Sequence, residues 1–236
     1  MRTVRTVRTV RSMTTPRTSG RAGLYSRRMQ HASMWRATYL ATLAVGSGGI
    51  SLLLLAHRSF QLALILAGAS AACALMSRHH LGRAGKQGVG AKAEQQVSSA
   101  LKHVDGVFHV INNATLPSVS GDCDHVAITR RGLCAIETKA GGGQVRINGD
   151  GKLVTGQGHV VPGFPVNQVL VQASALARLT GVGVTAVLCV PWMKNTPFRS
   201  KGVWICGASQ LGWVLRQMDG RLTQQAADRY ADRIRR

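Results

Sequence analysis

Hydrophobic and polar residues follow three patterns along this chain. In the first there is no alternation at all: residues 37–57 and 59–77 are 21 and 19 residues long and carry no formal charge. A helix needs about 20 apolar residues to cross a bilayer core, so each stretch predicts a membrane-spanning helix. Their glycine and alanine content suits close helix packing in lipid. The connection around His57-Arg58-Ser59 is short, so the two spans are expected to form a tight helical hairpin. A signal sequence followed by a buried helix is the competing reading. The first stretch is too long for a signal core and has no clear cleavage site.

The second pattern is helical. Ala93, Val97, Ala100, Leu101 and Val104 recur at helical spacing and predict a helix over 91–104. Glu94 shares their face, and an acid there is either a surface residue or an inward-facing ligand. A second amphipathic helix is expected over 167–179, with Gln168 in its first turn. Side chains at that position can point at an anion bound near the helix N-terminus. Helices over 208–218 and 222–235 close the chain, and the last is basic, with Arg229, Arg233, Arg235 and Arg236.

The third pattern has period two and marks strands. A short strand is expected over 107–111, followed by 124–129 and 133–139 around an Arg-Arg-Gly turn. Asp124, Val126 and Ile128 share one face of the first strand, and Leu133, Ala135, Glu137 and Lys139 share one face of the second. A hairpin tip at Arg131-Gly132 would set Asp124 opposite Lys139 and diagonal to Glu137. Two acids and a lysine then converge at the open end. Strands at 145–147, 152–154, 184–190 and 203–206 complete the set, the third being a continuous apolar run suited to burial.

That convergence has a chemical use. Magnesium takes oxygen ligands and keeps several waters, so one or two carboxylates suffice. A bound metal polarises a phosphodiester and acidifies an attacking water, and a neighbouring lysine offsets charge on the phosphate. The bland counterpart is an acid–lysine pair on a solvated strand face, worth a fraction of a kcal/mol. The Gly-rich run at 141–143 is no phosphate loop, because the following Lys-Ser/Thr and helix start are missing.

Composition divides the chain. The net charge is +21, from 30 Lys+Arg against 9 Asp+Glu. No acid occurs before Glu94: residues 1–93 carry 14 basic residues and no acid, a net +14, whereas residues 94–236 are net +7. Such an excess points to polyanions, either nucleic acid or anionic lipid. Residues 1–36, with a repeated Arg-Thr-Val, read as a disordered basic tail. A transit peptide and a true start at Met29 or Met34 are the other readings. Arg27, Arg28 and Arg36 precede the first span, and Arg78, Arg83 and Lys86 follow the second, with Arg58 alone between. The positive-inside rule then puts both ends in the cytoplasm, giving a multi-pass protein of an inner or plasma membrane. The five cysteines are unpatterned, which argues against a disulfide framework or structural zinc.

Five segments together resemble the nuclease-related domain, of the PD-(D/E)xK restriction-endonuclease-like superfamily. They are G-V-G-A-K-A-E-Q-Q-V (88–97), D-C-D-H-V-A-I (122–128), G-L-C-A-I-E-T-K-A-G-G-G (132–143), F-P-V-N-Q (164–168) and the strand 184–190. The resemblance covers roughly 88–192. It implies an α/β fold, a mixed central sheet flanked by helices, here preceded by the transmembrane hairpin. It also implies Asp124 and Glu137 as ligands of Mg²⁺, with Mn²⁺ the alternative, and Lys139 as catalytic lysine. Glu94 becomes the acid of the first helix and Gln168 the positioning glutamine of the second. Cys123 stands where the superfamily pattern has proline, and Lys92 where such domains often show a small or acidic residue.

The organisation expected is therefore tail 1–36, hairpin 37–77, Gly-rich linker 78–90 and nuclease-like domain 91–236. The function expected is a membrane-anchored cytoplasmic nuclease acting on DNA. A non-catalytic module tethering DNA or a protein to the membrane is the alternative, and a structural membrane protein the third reading.

Overall fold

The computed structural model describes residues 16–20, 22–57, 59–117, 119–150, 152–156, 158–161 and 164–236. These divide into two compact units, one of residues 16–20 with Gln96–Arg236 and one of residues 22–95. In chain order the elements are β1 (Arg17–Ser19), α1 (Leu24–Ala56), α2 (Phe60–Lys102), β2 (Val107–Thr115), β3 (Asp122–Thr129), β4 (Gly132–Thr138), β5 (Gly142–Gly143), β6 (Val145–Ile147), β7 (Leu153–Thr155), α3 (Pro165–Thr180), β8 (Val184–Cys189), β9 (Trp192–Met193), β10 (Phe198–Ser200), β11 (Val203–Cys206), α4 (Leu211–Arg216) and α5 (Gln224–Arg235).

The smaller unit is a pair of antiparallel helices. At 1.5 Å per residue, α1 is about 50 Å long and all of α2 about 65 Å. Both are long and apolar enough to cross a membrane. Serines join them in an even antiparallel register. Ser51 Oγ donates to the Ala63 carbonyl (2.7 Å), Ser70 Oγ to Ala44 (2.6 Å) and Ser77 Oγ to Ala37 (2.8 Å). Ala37 and Ala63 are buried between the helices, while Trp35, Tyr39, Leu52, Leu64 and Leu75 face outward.

Both helices outrun their apolar stretches. Residues 24–36, expected in the tail, are helical, and so are residues 78–90, expected as a linker. The reason is mutual support. Ser33 Oγ donates to Gln87 Oε1 (3.1 Å), and Glu94 accepts from Gly23 N and Ser26 Oγ (2.8 Å each). The glycines of 82–90 are tolerated because a partner helix supplies contacts that propensity does not. Gly23 takes a left-handed φ of 70°, and a Cβ there would lie 2.9 Å from the Ala91 carbonyl oxygen. Residues 1–15 and residue 21 of the expected tail lie outside the described residues.

The larger unit is a mixed sheet of order β1-β2-β3-β4-β8-β11-β10. β2, β3 and β4 form an antiparallel meander, and β8 and β11 extend it in parallel. β1 adds a parallel edge strand through Arg17–His109, Thr18–Val110 and Ser19–Ile111. This strand was not expected, because its ladder partner lies some ninety residues away and three residues carry no pattern.

The hairpin register corrects the sequence reading. Thr129 pairs with Gly132 and His125 with Ile136, so the tip is Arg130-Arg131. Continuing the ladder sets Asp124 level with Glu137, not with Lys139. The two-residue turn closes because Gly132 adopts a φ of 134°.

α3 and α5 cover the face that carries Val126, Ala135 and Glu137. Pro165 opens α3, where its missing N–H costs nothing, and Gly181 closes it in left-handed conformation. Val166, Val169, Ala173 and Leu176 form its buried stripe. Thr223 Oγ1 accepts from Ala226 N and caps α5. On this face His109 Nε2 lies 2.6 Å from Asp228 Oδ1. Hydrogen bonds from Gln224 and then His109 hold the Asp228 carboxyl below its usual range.

Four of the five cysteines, Cys123, Cys134, Cys189 and Cys206, are fully buried in the sheet, with Cys189 and Cys206 paired across β8 and β11. Burial pushes the thiols of Cys123, Cys134 and Cys189 well above their ordinary range.

His125 is also fully buried. Its Nδ1 lies 2.7 Å from Asn112 Oδ1, and Asn112 Nδ2 donates to the carbonyls of Ser19 and Gly20. Burial lowers the His125 pKa to about 3, from the ordinary 6.5. The folded state thus keeps His125 neutral while the unfolded chain protonates it. Stability from this group is complete above about pH 6.5 and is lost as the pH falls toward 3. We expect the unfolding free energy of the full chain in detergent to fall on acidification. In His125→Gln the slope between pH 6 and 4 should be shallower by up to about 1.4 kcal/mol per pH unit. Identical slopes in the two proteins would remove this account.

Candidate functional site

The site forms where β3 begins and β4 ends. Because Asp124 and Glu137 are level in an antiparallel pair, their side chains share one face about 5 Å apart. Asp124 Oδ2 accepts from Thr138 N at 2.7 Å, which fixes the aspartate against the β4 backbone.

Glu137 is only 2% exposed. Its oxygens are held from two sides: Lys139 Nζ donates to Oε1 at 2.6 Å, and Gln172 Nε2 donates to Oε2 at 2.9 Å. Lys139 follows Glu137 by two residues and so lies on the same face. Its Nζ also donates to Gln168 Oε1 at 3.2 Å. α3 therefore contributes two glutamines one turn apart, Gln168 on the lysine and Gln172 on the glutamate.

Asp124, Glu137, Lys139 and Gln168, all expected from the sequence, are thus brought together. Glu94 lies in the helical unit, where its 9%-exposed carboxylate accepts from Gly23 N and Ser26 Oγ at the start of α1. Gln172 was missed. It is 1% exposed, and its Nε2 also reaches the Asp122 carbonyl at 3.3 Å. The available signal was its spacing of four from Gln168, which puts both on one helix face.

The donor set can be tested for a metal. Two carboxylates level on adjacent strands are hard oxygen ligands, and Mg²⁺ is held by one or two such groups with waters and substrate oxygens. Gln172 Oε1 adds a buried acceptor without a hydrogen-bond partner beside Glu137. Among the described residues, no group of three or more His, Cys, Asp or Glu side chains gathers as a closed metal cage would require. The residues present fit an open magnesium site.

A mixed sheet flanked by helices thus gathers an aspartate, a glutamate and a lysine at the ends of two central strands. Residues 89–196 match the family model described as the nuclease-related domain. The PD-(D/E)xK grouping is consistent with that name. No curated protein matches the chain. Among solved structures, protein VC1899 from Vibrio cholerae is similar at 12% identity with a TM-score of 0.29, over 89% of this chain and 58% of that one. The chain thus spans less than two thirds of that protein's length.

Lys139 and Glu137 are coupled through burial: with the lysine gone, the glutamate has only Gln172 to offset its desolvation. Lys139→Met should lower the unfolding free energy of the metal-free protein by roughly 1–3 kcal/mol. Adding Glu137→Gln should recover part of the loss. Additive losses in the double variant, read by denaturant unfolding, would count against the coupling.

Proposed function

We propose that this chain is a membrane-anchored, metal-dependent nuclease that hydrolyses phosphodiester bonds in DNA. The observation that carries the reading is the Asp124–Glu137–Lys139–Gln168 cluster, in a segment matched to the nuclease-related domain.

Asp124 and Glu137 would hold Mg²⁺, or Mn²⁺ in its place. Such an ion, when bound, polarises the phosphoryl oxygen and makes water a better nucleophile. The chain's own groups do the positioning. The Thr138 N–H keeps Asp124 aimed across the strands. Gln172 pins the inner oxygen of Glu137, so that glutamate cannot swing to another rotamer. Lys139, steadied by Gln168, sits where its charge offsets that gathering on the attacked phosphate. Glu94 stays in the proposed site on the resemblance alone.

The anchor reading rests on two helices with outward apolar side chains, joined to each other by serine hydroxyls. Basic residues flank the pair on its open side, which supports a cytoplasmic position for the nuclease-like domain. A non-catalytic tether is the second reading. It is favoured by the full engagement of both Glu137 oxygens by Lys139 and Gln172.

The purified full chain in detergent should cleave DNA when Mg²⁺ or Mn²⁺ is added and not in EDTA. Asp124→Ala and Lys139→Ala should each lose at least about a hundredfold in rate, the scale of one removed charge-stabilising group. Equal cleavage by all three proteins would exclude this site. DNA binding without turnover in the unaltered chain would decide for the tether.

Topology has its own test. In a Cys73→Ala background, a membrane-impermeant maleimide should label Arg58→Cys in intact cells. Asp150→Cys should react only after permeabilisation. The reverse pattern would place the domain outside.

A further inference from the structure

A groove of about 570 Å³ opens beside the candidate site, on the far side of Asp124 from Glu137. One wall is the end of β2, including Asn113 and Thr115. The other is the end of α5, with Arg233, Arg235 and Arg236. No aspartate or glutamate is among its lining residues.

Strand register ties the groove to the carboxylates. β2 pairs with β3 through Asn112–His125, Ala114–Cys123 and Thr115–Asp122. Asn113 falls between the first two pairs, so it is the residue across from Asp124. Neighbouring strands lie about 5 Å apart. Asn113 adopts a φ of 53°, the left-handed region, which interrupts the ladder at this point. Non-glycine residues held there cluster at functional sites.

The arginines are partly organised. Arg235 Nε donates to Ser19 Oγ at 3.2 Å, and Arg233 Nη1 to the Leu179 carbonyl at 3.4 Å. Arg235 also lies 3.5 Å from Asp232, in an exposed pair that solvent weakens. Three guanidinium groups beside a phosphodiester-directed site suit phosphate oxygens, which arginine can bind with two parallel hydrogen bonds.

We propose that this groove holds the phosphodiester backbone of a DNA duplex flanking the phosphate that reacts at Asp124 and Glu137. This rests on the nuclease reading for the nature of the substrate, and adds where the substrate's unreacted backbone is gripped. The lining holds no tryptophan, tyrosine or phenylalanine on which unpaired bases could stack. Contact is therefore with phosphates and is independent of sequence. Anionic lipid is the other polyanion available. A membrane-surface site adds large exposed apolar side chains to its basic ones, and none of the exposed large hydrophobics lines this groove.

The test uses the full chain in detergent, a fluorescein-labelled 30-base-pair duplex, and EDTA so that binding is read without cleavage. Arg233→Gln/Arg236→Gln removes two groove charges. Arg130→Gln/Arg216→Gln removes two charges from a separate cleft at the β3–β4 turn and serves as the charge-matched control. With about 0.9 counterion released per phosphate contact, the groove variant should bind about tenfold or more weakly at 0.1 M salt. Its log–log salt slope should be shallower by about 1.8. The control should change much less. Equal losses in both variants would mean that net charge alone matters and would overturn the groove. So would unaltered duplex affinity together with lost sedimentation on phosphatidylglycerol vesicles, which would assign the arginines to lipid. Thermal midpoints within about two degrees of the unaltered chain, inside the range of a minor surface change, establish that both variants are folded. The two proposals fail separately. Groove-dependent binding with no cleavage in Mg²⁺ or Mn²⁺ overturns the nuclease reading alone. Metal-dependent cleavage with groove-independent binding overturns the groove alone.

Discussion

A carboxylate has been placed where only 2% of its residue surface meets solvent, and the surroundings of Glu137 answer that constraint. Removing a charge from water costs several kcal/mol unless partners replace the lost hydration. Lys139 and Gln172 do so from opposite sides, one from the same strand and one from α3. The strand partner is automatic, since residues two apart share a face. The helix partner demands that α3 cross β4 at one height. The buried stripe Val166, Val169, Ala173 and Leu176, set against β4 and β8, fixes that height. Core packing and site geometry are thus one requirement: turning α3 about its axis would take Gln172 off Glu137.

The sheet divides its labour between faces. One carries Asp124, Glu137 and His109 beneath α3 and α5. The other carries His125, Cys123, Cys134 and Ile136. Polar groups occur on both, but with different consequences. His125 is kept neutral and bonded to Asn112, and that same asparagine donates its amide hydrogens to the Ser19 and Gly20 carbonyls at the β1 edge. The second face therefore fastens the sheet margin, and the first gathers charge for chemistry. Strand alternation allows the two to coexist within one residue of each other at 124 and 125.

Much of this was legible in the sequence. The alternation of 124–129 and 133–139 gave the central hairpin, and the E-x-K spacing placed Glu137 and Lys139 on one face. The two charge-free stretches appear as long helices. What could not be read was set by contacts distant in sequence. The hairpin tip moved by one residue because Arg-Arg-Gly permits either turn, and the register followed the packing of both faces. The helical course of 78–90 depends on Ser33, Ser26 and Gly23, which lie 54, 68 and 71 residues before their partners. β1 has no pattern of its own. Gln172 hid in a helix whose other buried positions, Thr180 apart, are apolar, where a lone amide looks like an exposed residue until its partner is known. Glu94 shows the reverse: its place on a helix was readable, but the partners its carboxylate takes in this structure were not.

The four sheet cysteines give the larger unit a built-in reporter of its own breathing. Their sulfurs are sealed within β3, β4, β8 and β11, and burial keeps the thiols of three of them in the unreactive protonated form. A thiol reagent can therefore modify them only during an opening of the strand that carries each one. The four strands lie side by side across the middle of the sheet, so the order of modification maps which seam of the molecule parts first. Edge fraying would leave all four untouched, whereas separation of the parallel half would expose Cys189 and Cys206 before Cys123. The native chain thus holds a spatially ordered set of clocks for local unfolding, with no engineered probe.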